Sequence, residues 1–377
     1  VRALTRGQTQ ASDHPVYVSR GPGRTNHYPG RLVGSPTKAT KVFRCESHEV
    51  YGSGFVGGFA PTPSGVVAKA GTTFFSISAS GEQLWSSAVG GAPEDRANFV
   101  VMDRSIVDLS NVRDGVRFTV LDTTSGELIA KVEMKHHFSS GGMTVVDSTA
   151  VALVFAKGAA GLVVSFDPQA ATVIRLDEVA HGTFAPLVAS GDEVLFGCYF
   201  GETGLYRFRL PTRKMERVLS RPVRSVAVTS RVIACQMDET GDNRSDEQLW
   251  VLDRDRGKLC WSRSSAHYSV AVSDSHVAAF LRADQPRVLA LYNLIGNMSW
   301  ESVLMKGDKP RAVAICDDAV IARTWDGGRH ILSVHDLGTG EIRARLELGE
   351  EPRTSEAIGF DSKGLVVAVG HTIYRVH

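Results

Sequence analysis

The sequence predicts an all-β fold, an eight-bladed β-propeller with four antiparallel strands in each blade. A glycine is followed four residues later by tryptophan at residues 81–85, 257–261 and 296–300. Around each motif, short apolar runs that alternate with polar residues lie between glycine-rich turns, a pattern typical of strands and hairpins. The same order of runs recurs every 38 to 45 residues along the chain, which is the period of a four-stranded blade.

Each repeat begins with an apolar run, followed by a tight turn, an alternating run, a second turn and a third run. The repeats cover residues 65–85, 105–132, 150–176, 193–219, 231–261, 276–300, 319–348 and 364–377. A further short apolar run precedes the repeats, for example SVAV at 225–228 and again at 269–272. We expect this run to form the innermost strand a of a blade, with strands b, c and d following outward.

The last repeat ends after its third strand, at His377. A missing outer strand would leave an exposed sheet edge. The run TKVFRCES at residues 40–47 alternates apolar and polar residues and belongs to no repeat. We expect this run to pair with residues 371–376 and to close the last blade, because radial closure protects the edges of a propeller. The predicted domains are an irregular segment, residues 1–38, that packs on the propeller, and the propeller itself, residues 39–377.

The Gly-x-x-x-Trp motif fits the hairpin between strands c and d. A glycine there supplies the positive φ that such turns often need. In three repeats an aspartate precedes the glycine by four residues, and aspartate caps turns by accepting hydrogen bonds from nearby backbone amides. These pairs are Asp122 and Gly126, Asp253 and Gly257, and Asp336 and Gly340. Trp85, Trp261 and Trp300 then fall on strand d, where a large ring can cover the gap to the neighbouring blade.

Composition excludes several classes of partner. The formal net charge is +1 and no apolar run reaches the length of a membrane-spanning helix, so we expect no nucleic-acid partner and no membrane insertion. The five cysteines include no CxxC motif and no adjacent pair. This usage argues against a disulfide framework and favours a reducing compartment, so we expect a cytoplasmic rather than a periplasmic protein.

The predicted c–d hairpins carry a family resemblance. LDTTSGELIA (121–130), LDRDRGKLCW (252–261) and HDLGTGEIRA (335–344) resemble the Ala-x-Asp-x-x-x-Gly-x-x-x-Trp hairpin of the PQQ-like repeat family. PVYVSRGPGRTNHYPG (15–30) is similar to the arginine–glycine segment that often precedes blade one in that family. The matching positions there are Arg20, Gly21, Arg24 and Thr25. The resemblance covers residues 15–377 and implies an eight-bladed fold, but its members include enzymes, assembly factors and scaffolds.

The enzyme that this resemblance implies is a quinoprotein dehydrogenase. Such enzymes hold a quinone with calcium or a lanthanide, commonly stacked on a tryptophan and a vicinal disulfide beside a catalytic aspartate. This chain has no adjacent cysteines, no long insertion that would build a substrate lid and no GxSxG motif for a serine nucleophile. We therefore expect a non-enzymatic protein without a cofactor, with a quinoprotein-like enzyme or a propeller that binds a small ligand or a metal as alternatives.

A calcium site is the metal alternative. The long b–c loop MDETGDNRSDEQ, residues 237–248, contains Asp238, Asp242 and Asp246. Hard cations prefer several carboxylate oxygens, but the spacing differs from that of an EF-hand and suits a solvated hairpin equally. The histidines at 136–137, 181, 267 and 330 come from different blades and lack metal-ligand spacing. The sequence therefore predicts no metal site.

The mouth of the central channel is the best candidate for binding. Counting back two residues from each inner apolar run gives Gly58, Asn98, Gly142, Phe184, Arg224, Tyr268, Arg311 and Glu356. Arginine and aromatic residues are enriched in interface hot spots, and Lys306, Lys309 and Arg353 lie near in sequence. The arc of Arg224, Tyr268, Arg311 and Glu356 is thus predicted to receive an acidic segment of a protein partner. The predicted function is a rigid interaction scaffold or an assembly or regulatory subunit.

Overall fold

The structure is a computed structural model. Every regular element among the residues that it describes is a β-strand. It describes residues 27–28, 32, 35–44, 56–62, 64–90, 98–102, 104–146, 148–156, 161–179, 182–184, 187–238, 247–282, 287–349, 358–361 and 363–377. Within these ranges no apolar helix long enough to cross a membrane is present. The fold class predicted from the sequence, an all-β propeller built from four-stranded antiparallel sheets, is confirmed.

The first four sheets follow the order of the predicted repeats. Blade one contains β3 (Val56–Thr62), β4 (Gly65–Ala70), β5 (Thr73–Ser78) and β6 (Gln83–Ala88). Blade two contains β7 (Phe99–Met102), β8 (Ser105–Val112), β9 (Gly115–Asp122) and β10 (Leu128–Lys135). Blade three contains β11 (His137–Val146), β12 (Thr149–Ala156), β13 (Gly161–Asp167) and β14 (Thr172–Val179). Blade four has a divided inner strand, β15 (Gly182–Phe184) and β16 (Val188–Ser190), followed by β17 (Glu193–Gly201), β18 (Gly204–Arg209) and β19 (Lys214–Leu219).

Blades five and six share one long strand. Blade five contains β20 (Val223–Val228), β21 (Val232–Asp238), β22 (Glu247–Asp253) and the first part of β23 (Leu259–Val272). Blade six uses the second part of β23, then β24 (His276–Arg282), β25 (Arg287–Asn293) and β26 (Met298–Val303). Blade seven contains β27 (Lys309–Cys316), β28 (Ala319–Trp325), β29 (His330–Asp336) and β30 (Ile342–Glu347). Blade eight has β31 (Ile358–Asp361), β32 (Gly364–Val369) and β33 (Thr372–Val376).

The N-terminal part of the chain supplies two further strands. β2 (Ala39–Arg44) pairs antiparallel with β33, from Ala39 opposite Val376 to Arg44 opposite Thr372. This pairing confirms the predicted closure of the last blade, although residues 45–47 lie outside the described residues. β1 (His27–Tyr28) lies in the segment that the sequence predicts to be irregular, and it pairs in parallel with β27.

The hydrophobic core lies between blades and not within them. Each core cluster of the described residues combines side chains from two consecutive blades, since both faces of every sheet are apolar. Between blades one and two, for example, Phe74 meets Phe99 edge to face at a centroid distance of 5.0 Å. The cluster of Phe59 and Ile77 with Val366 and Ile373 joins blade eight to blade one. The sheets of the described residues therefore form a closed succession, in which the last sheet packs against the first.

The Gly-x-x-x-Trp motif acts between neighbouring blades. Trp300 of blade six lies over the turn of blade seven, and its indole Nε1 donates a hydrogen bond to the carbonyl oxygen of Leu337 at 2.9 Å. A Cβ atom added to Gly340 of that turn would lie only 2.7 Å from the Trp300 ring. Trp261 meets Gly296, and Trp85 meets Gly126, in the same way. Each tryptophan thus packs on the glycine of the next blade, which needs to be small as well as positive in φ.

The three turns with an aspartate are capped as predicted. The Oδ1 atom of Asp336 accepts hydrogen bonds from the amides of Gly338 and Thr339, both at 2.9 Å. Asp122 and Asp253 cap their turns in the same manner. The Arg343 guanidinium and these amide donors hold the pKa of Asp336 down to about 2. The aspartate caps therefore fix the backbone geometry of these turns.

We expect Gly340→Ala to destabilise the protein more than Gly191→Ala. Both glycines have positive φ, +76° and +62°, but a Cβ at Gly191 would meet no atom within 4 Å. The backbone cost of a left-handed alanine is about 1–2 kcal/mol, and only Gly340 adds the clash with Trp300. In a Trp300→Ala background the penalty at Gly340 should fall to that at Gly191, with a coupling energy of about 1–3 kcal/mol. Urea denaturation of the four variants of this double-mutant cycle measures it, and additive penalties would contradict the packing.

A buried histidine lies under the same contact. The ring of His335 stacks on Trp300 with centroids 5.7 Å apart, and the side chain makes hydrogen bonds to the Gly340 carbonyl and the Ser333 hydroxyl. Burial lowers the pKa of His335 below its ordinary value of 6.5. Near pH 6.5 the folded protein therefore binds a proton at this imidazole less readily than the unfolded chain does.

Stability should therefore fall as the pH is lowered through 6.5, because the unfolded state then binds more protons than the folded state. Unfolding free energies from urea titrations at about pH 7.5 and about pH 5.5 measure this loss. The loss should be smaller in His335→Gln, which retains hydrogen-bonding groups and does not titrate. An equal loss in both proteins would assign the pH dependence to other groups, of which His276, also lowered in pKa by burial, is the next candidate.

Candidate functional site

The inner strands share an irregularity at the end that opens on the channel mouth. Because strand a begins where strand d of the preceding blade ends, its first residues lie on the face of the d–a and b–c loops. In five blades the ladder between strands a and b skips residues at this level. The skipped residues are Gly57, 140–142, Arg224, 266–269 and Arg311. Such bulges re-aim side chains and leave backbone groups outside the ladder.

Two of the four predicted mouth residues occupy equivalent bulges. Arg224 lies between Val223, opposite Met237, and Ser225, opposite Gln236. Arg311 lies between Pro310 and Ala312 in the corresponding place of blade seven. Tyr268 belongs to the skipped stretch 266–269 of blade six, which lies between them in the ring. Glu356 lies outside the described residues. The structure therefore brings Arg224, Tyr268 and Arg311 to one level of three consecutive blades.

The predicted equivalents in blades one and two lie in the paired part of the ladder. Gly58 pairs with Lys69 inside the ladder, and the bulge falls on Gly57. The carbonyl oxygen of Asn98 accepts a hydrogen bond from Leu109, so Asn98 also belongs to the paired part. Inner strands buried on both faces read as nearly continuous apolar runs, so alternation does not set their register. Gly142 does lie within the skipped stretch of blade three.

Arg224 is held by an aromatic ring of the preceding blade. Its guanidinium carbon lies 5.0 Å from the ring centroid of Tyr199. Tyr199 is itself the residue skipped on β17, between Cys198 and Phe200. A second pair on this side of blade five places Arg221 4.9 Å from the Trp250 ring centroid. Cation–π contacts of this kind attract a guanidinium to the face of an aromatic ring.

Arg311 lies in a positive part of the rim. The half-buried side chain has its Nε atom shielded from solvent, with no hydrogen-bond acceptor among the described residues. Lys306 and Lys309 are exposed next to it in sequence. The buried carboxylate of Asp308 is engaged by the Thr324 hydroxyl and, at 3.5 Å, by Arg345. A buried donor without an acceptor is unusual in a folded protein, and a carboxylate or carbonyl of a ligand would satisfy it.

Below the bulges, polar side chains of strand b cross from one blade to the next. Lys69 of blade one donates to the Asp108 carboxylate of blade two at 2.7 Å and to the Ser110 hydroxyl at 3.1 Å. At the same level Gln236 of blade five reaches Ser265 of blade six, and Arg323 of blade seven reaches the carbonyl of Ala368. Sequence reasoning missed these contacts, since a single lysine or glutamine in an apolar strand carries no recognisable spacing. They tie the mouth ends of neighbouring blades together.

The acidic loop gives no site within the described residues. Asp238 ends β21, where its backbone pairs with Glu247, while Asp242 and Asp246 lie outside the described residues. Across the described part of the chain, no three His, Cys, Asp or Glu side chains are grouped as metal ligands would be. The calcium site therefore stays an untested alternative.

The tryptophans do not suit a stacked quinone. Three of them, Trp85, Trp261 and Trp300, pack on turn glycines. Trp250 contacts the guanidinium of Arg221. Trp325 is buried, with its ring centroid 4.6 Å from that of His330. All five tryptophans of the chain are thus engaged elsewhere. Since the sequence also lacks adjacent cysteines, the residues present do not fit the cofactor of a quinoprotein.

Comparison with known proteins supports the fold. No protein-family model and no curated protein sequence matches the chain. Among solved structures, the Dos1 propeller is similar with a TM-score of 0.56 and 11% identity over 91% of this chain and 94% of that one. A europium-containing methanol dehydrogenase has a TM-score of 0.54 and 12% identity over 92% and 88%. BamB from Moraxella catarrhalis has a TM-score of 0.50 and 12% identity over 80% and 99%. At these identities the similarity establishes a propeller fold and leaves the function open.

We expect the pair of Lys69 and Asp108 to behave as a buried ion pair. Both side chains are at most 5% exposed, so Lys69→Met or Asp108→Leu alone would strand one buried charge and cost about 3–5 kcal/mol. The double variant Lys69→Met/Asp108→Leu should recover most of that loss. Thermal or urea unfolding of the three variants measures it. Single variants as stable as the parent would show that the pair does not form.

Proposed function

We propose that the protein is a non-enzymatic interaction scaffold that binds an extended acidic segment of a polypeptide partner at the channel mouth. The observation that carries the proposal is the occurrence of Arg224 and Arg311 at equivalent bulges of blades five and seven. The two arginines flank the skipped stretch of blade six that contains Tyr268. A segment crossing blade six would therefore meet a guanidinium on either side.

Charge and geometry favour an acidic segment. Arginine presents planar donors that match carboxylates, and charge-assisted hydrogen bonds are stronger than neutral ones. The ring of Tyr199 already orients Arg224, so less conformational entropy is lost when a ligand binds. The Nε atom of Arg311 is a buried donor that such a ligand could satisfy. Exposed Lys306 and Lys309 would add attraction that depends on salt concentration.

An extended segment also suits the backbone of the mouth. The ladder between β23 and β24 shifts register between Ser265 and Val270, so the regular pairing of blade six is interrupted at the level of the two arginines. A rigid ring below the mouth keeps the flanking arginines at fixed positions, which lowers the cost of binding.

Charge reversal at the two arginines tests the proposal. A fluorescein-labelled peptide of alternating glutamate and threonine serves as the probe, and fluorescence anisotropy at low and physiological salt measures its affinity. We expect Arg224→Glu/Arg311→Glu to weaken binding by about 100-fold or more, because each change replaces an attraction by a repulsion. Binding by the parent protein should also weaken as salt is raised.

The matched control is Arg256→Glu/Lys258→Glu, which makes the same change of net charge at the exposed c–d turn of blade five, on the opposite face. This control should bind the probe as the parent does. Absence of binding by the parent, or an equal loss in both double variants, would contradict a specific site at the mouth.

A further inference from the structure

One buried hydrogen-bond network crosses blades five, six and seven below the channel mouth. The side-chain Nε2 atom of Gln236, in blade five, donates to the Ser265 hydroxyl at 2.8 Å and to the Ser269 carbonyl at 3.4 Å, both in blade six. The Ser269 hydroxyl accepts a hydrogen bond from the backbone amide of Val313, in blade seven, at 2.9 Å. Gln236, Ser265 and Ser269 are at most 2% exposed. A buried polar network is stable only with its partners in place, so this one fixes the relative positions of three consecutive blades.

The two ends of this network lie beside the two arginines of the mouth. The Ser225 hydroxyl donates to the Oε1 atom of Gln236 at 3.3 Å, and Ser225 directly follows Arg224 in the chain. At the other end, Val313 lies two residues after Arg311 on β27. The network therefore runs from the neighbour of one arginine, through the inner strand of blade six, to the neighbour of the other.

This course differs from that of the other buried crossings. The contact of Lys69 joins blades one and two, and that of Arg323 joins blades seven and eight. Such pairwise contacts are enough to hold neighbouring blades together. The amide of Gln236 instead uses its oxygen toward Ser225 in its own blade and its nitrogen toward blade six. The added reach links the two arginine positions, which cohesion of the ring does not require.

Side-chain hydrogen bonds matter here because the strand ladder is irregular at this level. Arg224 and Arg311 lie at register shifts of blades five and seven. The ladder of blade six also shifts, between Ser265 and Val270. At a bulge the ladder no longer sets the direction of the chain. Contacts such as that between Ser269 and the amide of β27 then determine how the three inner strands lie against one another.

We propose that Gln236 and Ser269 are positioning residues that fix the span between Arg224 and Arg311, and that the mouth thereby selects partners by the spacing of their acidic residues. This inference rests on the function proposed above. Sheets packed face to face lie about 10 Å apart, so two steps between blades separate the backbones of the arginines by about 20 Å or less. An extended chain rises about 3.3 Å per residue, so acidic positions about six residues apart or closer would fit. A fixed span also lowers the entropy lost on binding.

A series of spaced peptides tests this selection. Each fluorescein-labelled probe carries two pairs of glutamates, separated by about one to about ten threonine residues, and fluorescence anisotropy measures its affinity. The parent protein should bind most tightly at a spacer of about four to six residues, and about tenfold more weakly at the shortest spacer, which cannot reach both arginines. Equal affinity for every spacer would overturn the selection by spacing.

Removal of one hydroxyl should flatten this profile. In Ser269→Ala we expect affinity for the best spacer to fall about fivefold and its advantage over the shortest spacer to fall to about threefold, since a variable span accepts several spacings. Ser269→Thr keeps the hydroxyl and should restore the profile. Gln236→Met, which removes the amide at similar length, should flatten it as Ser269→Ala does. A profile unchanged in both Ser269→Ala and Gln236→Met would overturn the positioning role.

The matched control is Ser110→Ala on the other side of the ring. The Ser110 hydroxyl is also buried and also takes part in a crossing between blades, as acceptor from Lys69 of blade one. Its loss should leave the spacing profile as in the parent. An equal flattening in Ser110→Ala would show that general loosening of the propeller, and not the network of blades five to seven, accounts for the effect.

Amide hydrogen exchange gives a readout that does not depend on a ligand. The Val313 amide should exchange about tenfold faster in Ser269→Ala than in the parent or in Ser269→Thr, because its acceptor is lost while the ring stays folded. The amides of β28 should keep their protection. Unchanged exchange at Val313 would overturn the role of the Ser269 hydroxyl.

The outcomes separate this inference from the proposed function. Probe binding that requires Arg224 and Arg311 but shows no spacing preference, or a preference that Ser269→Ala keeps, overturns the positioning and leaves the mouth site standing. If the parent binds no member of the series, the mouth site and the selection by spacing both fail.

Discussion

Among the described residues, no blade has a hydrophobic core of its own. Every core cluster of the described residues is shared by two consecutive sheets, so each blade is stable only between its neighbours. The indole-on-glycine contacts follow from the same constraint. A strand d tryptophan covers the turn of the next blade, and its N–H satisfies a backbone carbonyl there. In blade eight the N-terminal strand β2 is strand d. Its Val42, in place of a tryptophan, lies against Gly81 of blade one.

This dependence on neighbours explains why the ends of the chain matter. Without β2, blade eight would consist of β31, β32 and β33, and its outer edge would be open. The core between blades eight and one would also lose Val42 and Phe43, which pack against it. The segment at residues 27–44 therefore links three places: the channel edge of blade seven through β1, the core between blades seven and eight through Leu32, and the outer edge of blade eight through β2.

A continuous core below the mouth allows irregular backbone at the mouth itself. The bulges at Arg224 and Arg311 interrupt the ladder at its first residues, while the ladder below them is regular. The buried crossings from Lys69, Gln236 and Arg323 hold neighbouring blades together just beneath this level. Side chains suited to binding are thus displayed on positions that the scaffold fixes, which is the usual arrangement of loops and bulges on a rigid fold.

The sequence predicted the strands well and the contacts between neighbouring blades less well. Spacing alone located strands b, c and d, the capping aspartates and the closing strand, because alternation and turn chemistry are local signals. The partner of each tryptophan was not visible, since it lies on the next repeat. The pairing of Gly58 and Asn98 with strand b was not visible either, because doubly buried strands do not alternate. β1 was missed altogether, as two residues without an apolar pattern carry no strand signal. The lone Lys69 likewise gave no hint of Asp108.

Amide hydrogen exchange of β2 tests the closed ring most directly. If β2 seals the last blade and every blade depends on its neighbours, its protected amides should exchange only as the whole propeller unfolds. They should then exchange with the same free energy as the protected amides of β33. Exchange of residues 39–44 at the rate of an unstructured peptide, with β33 still protected, would contradict a ring closed by the N-terminal strand.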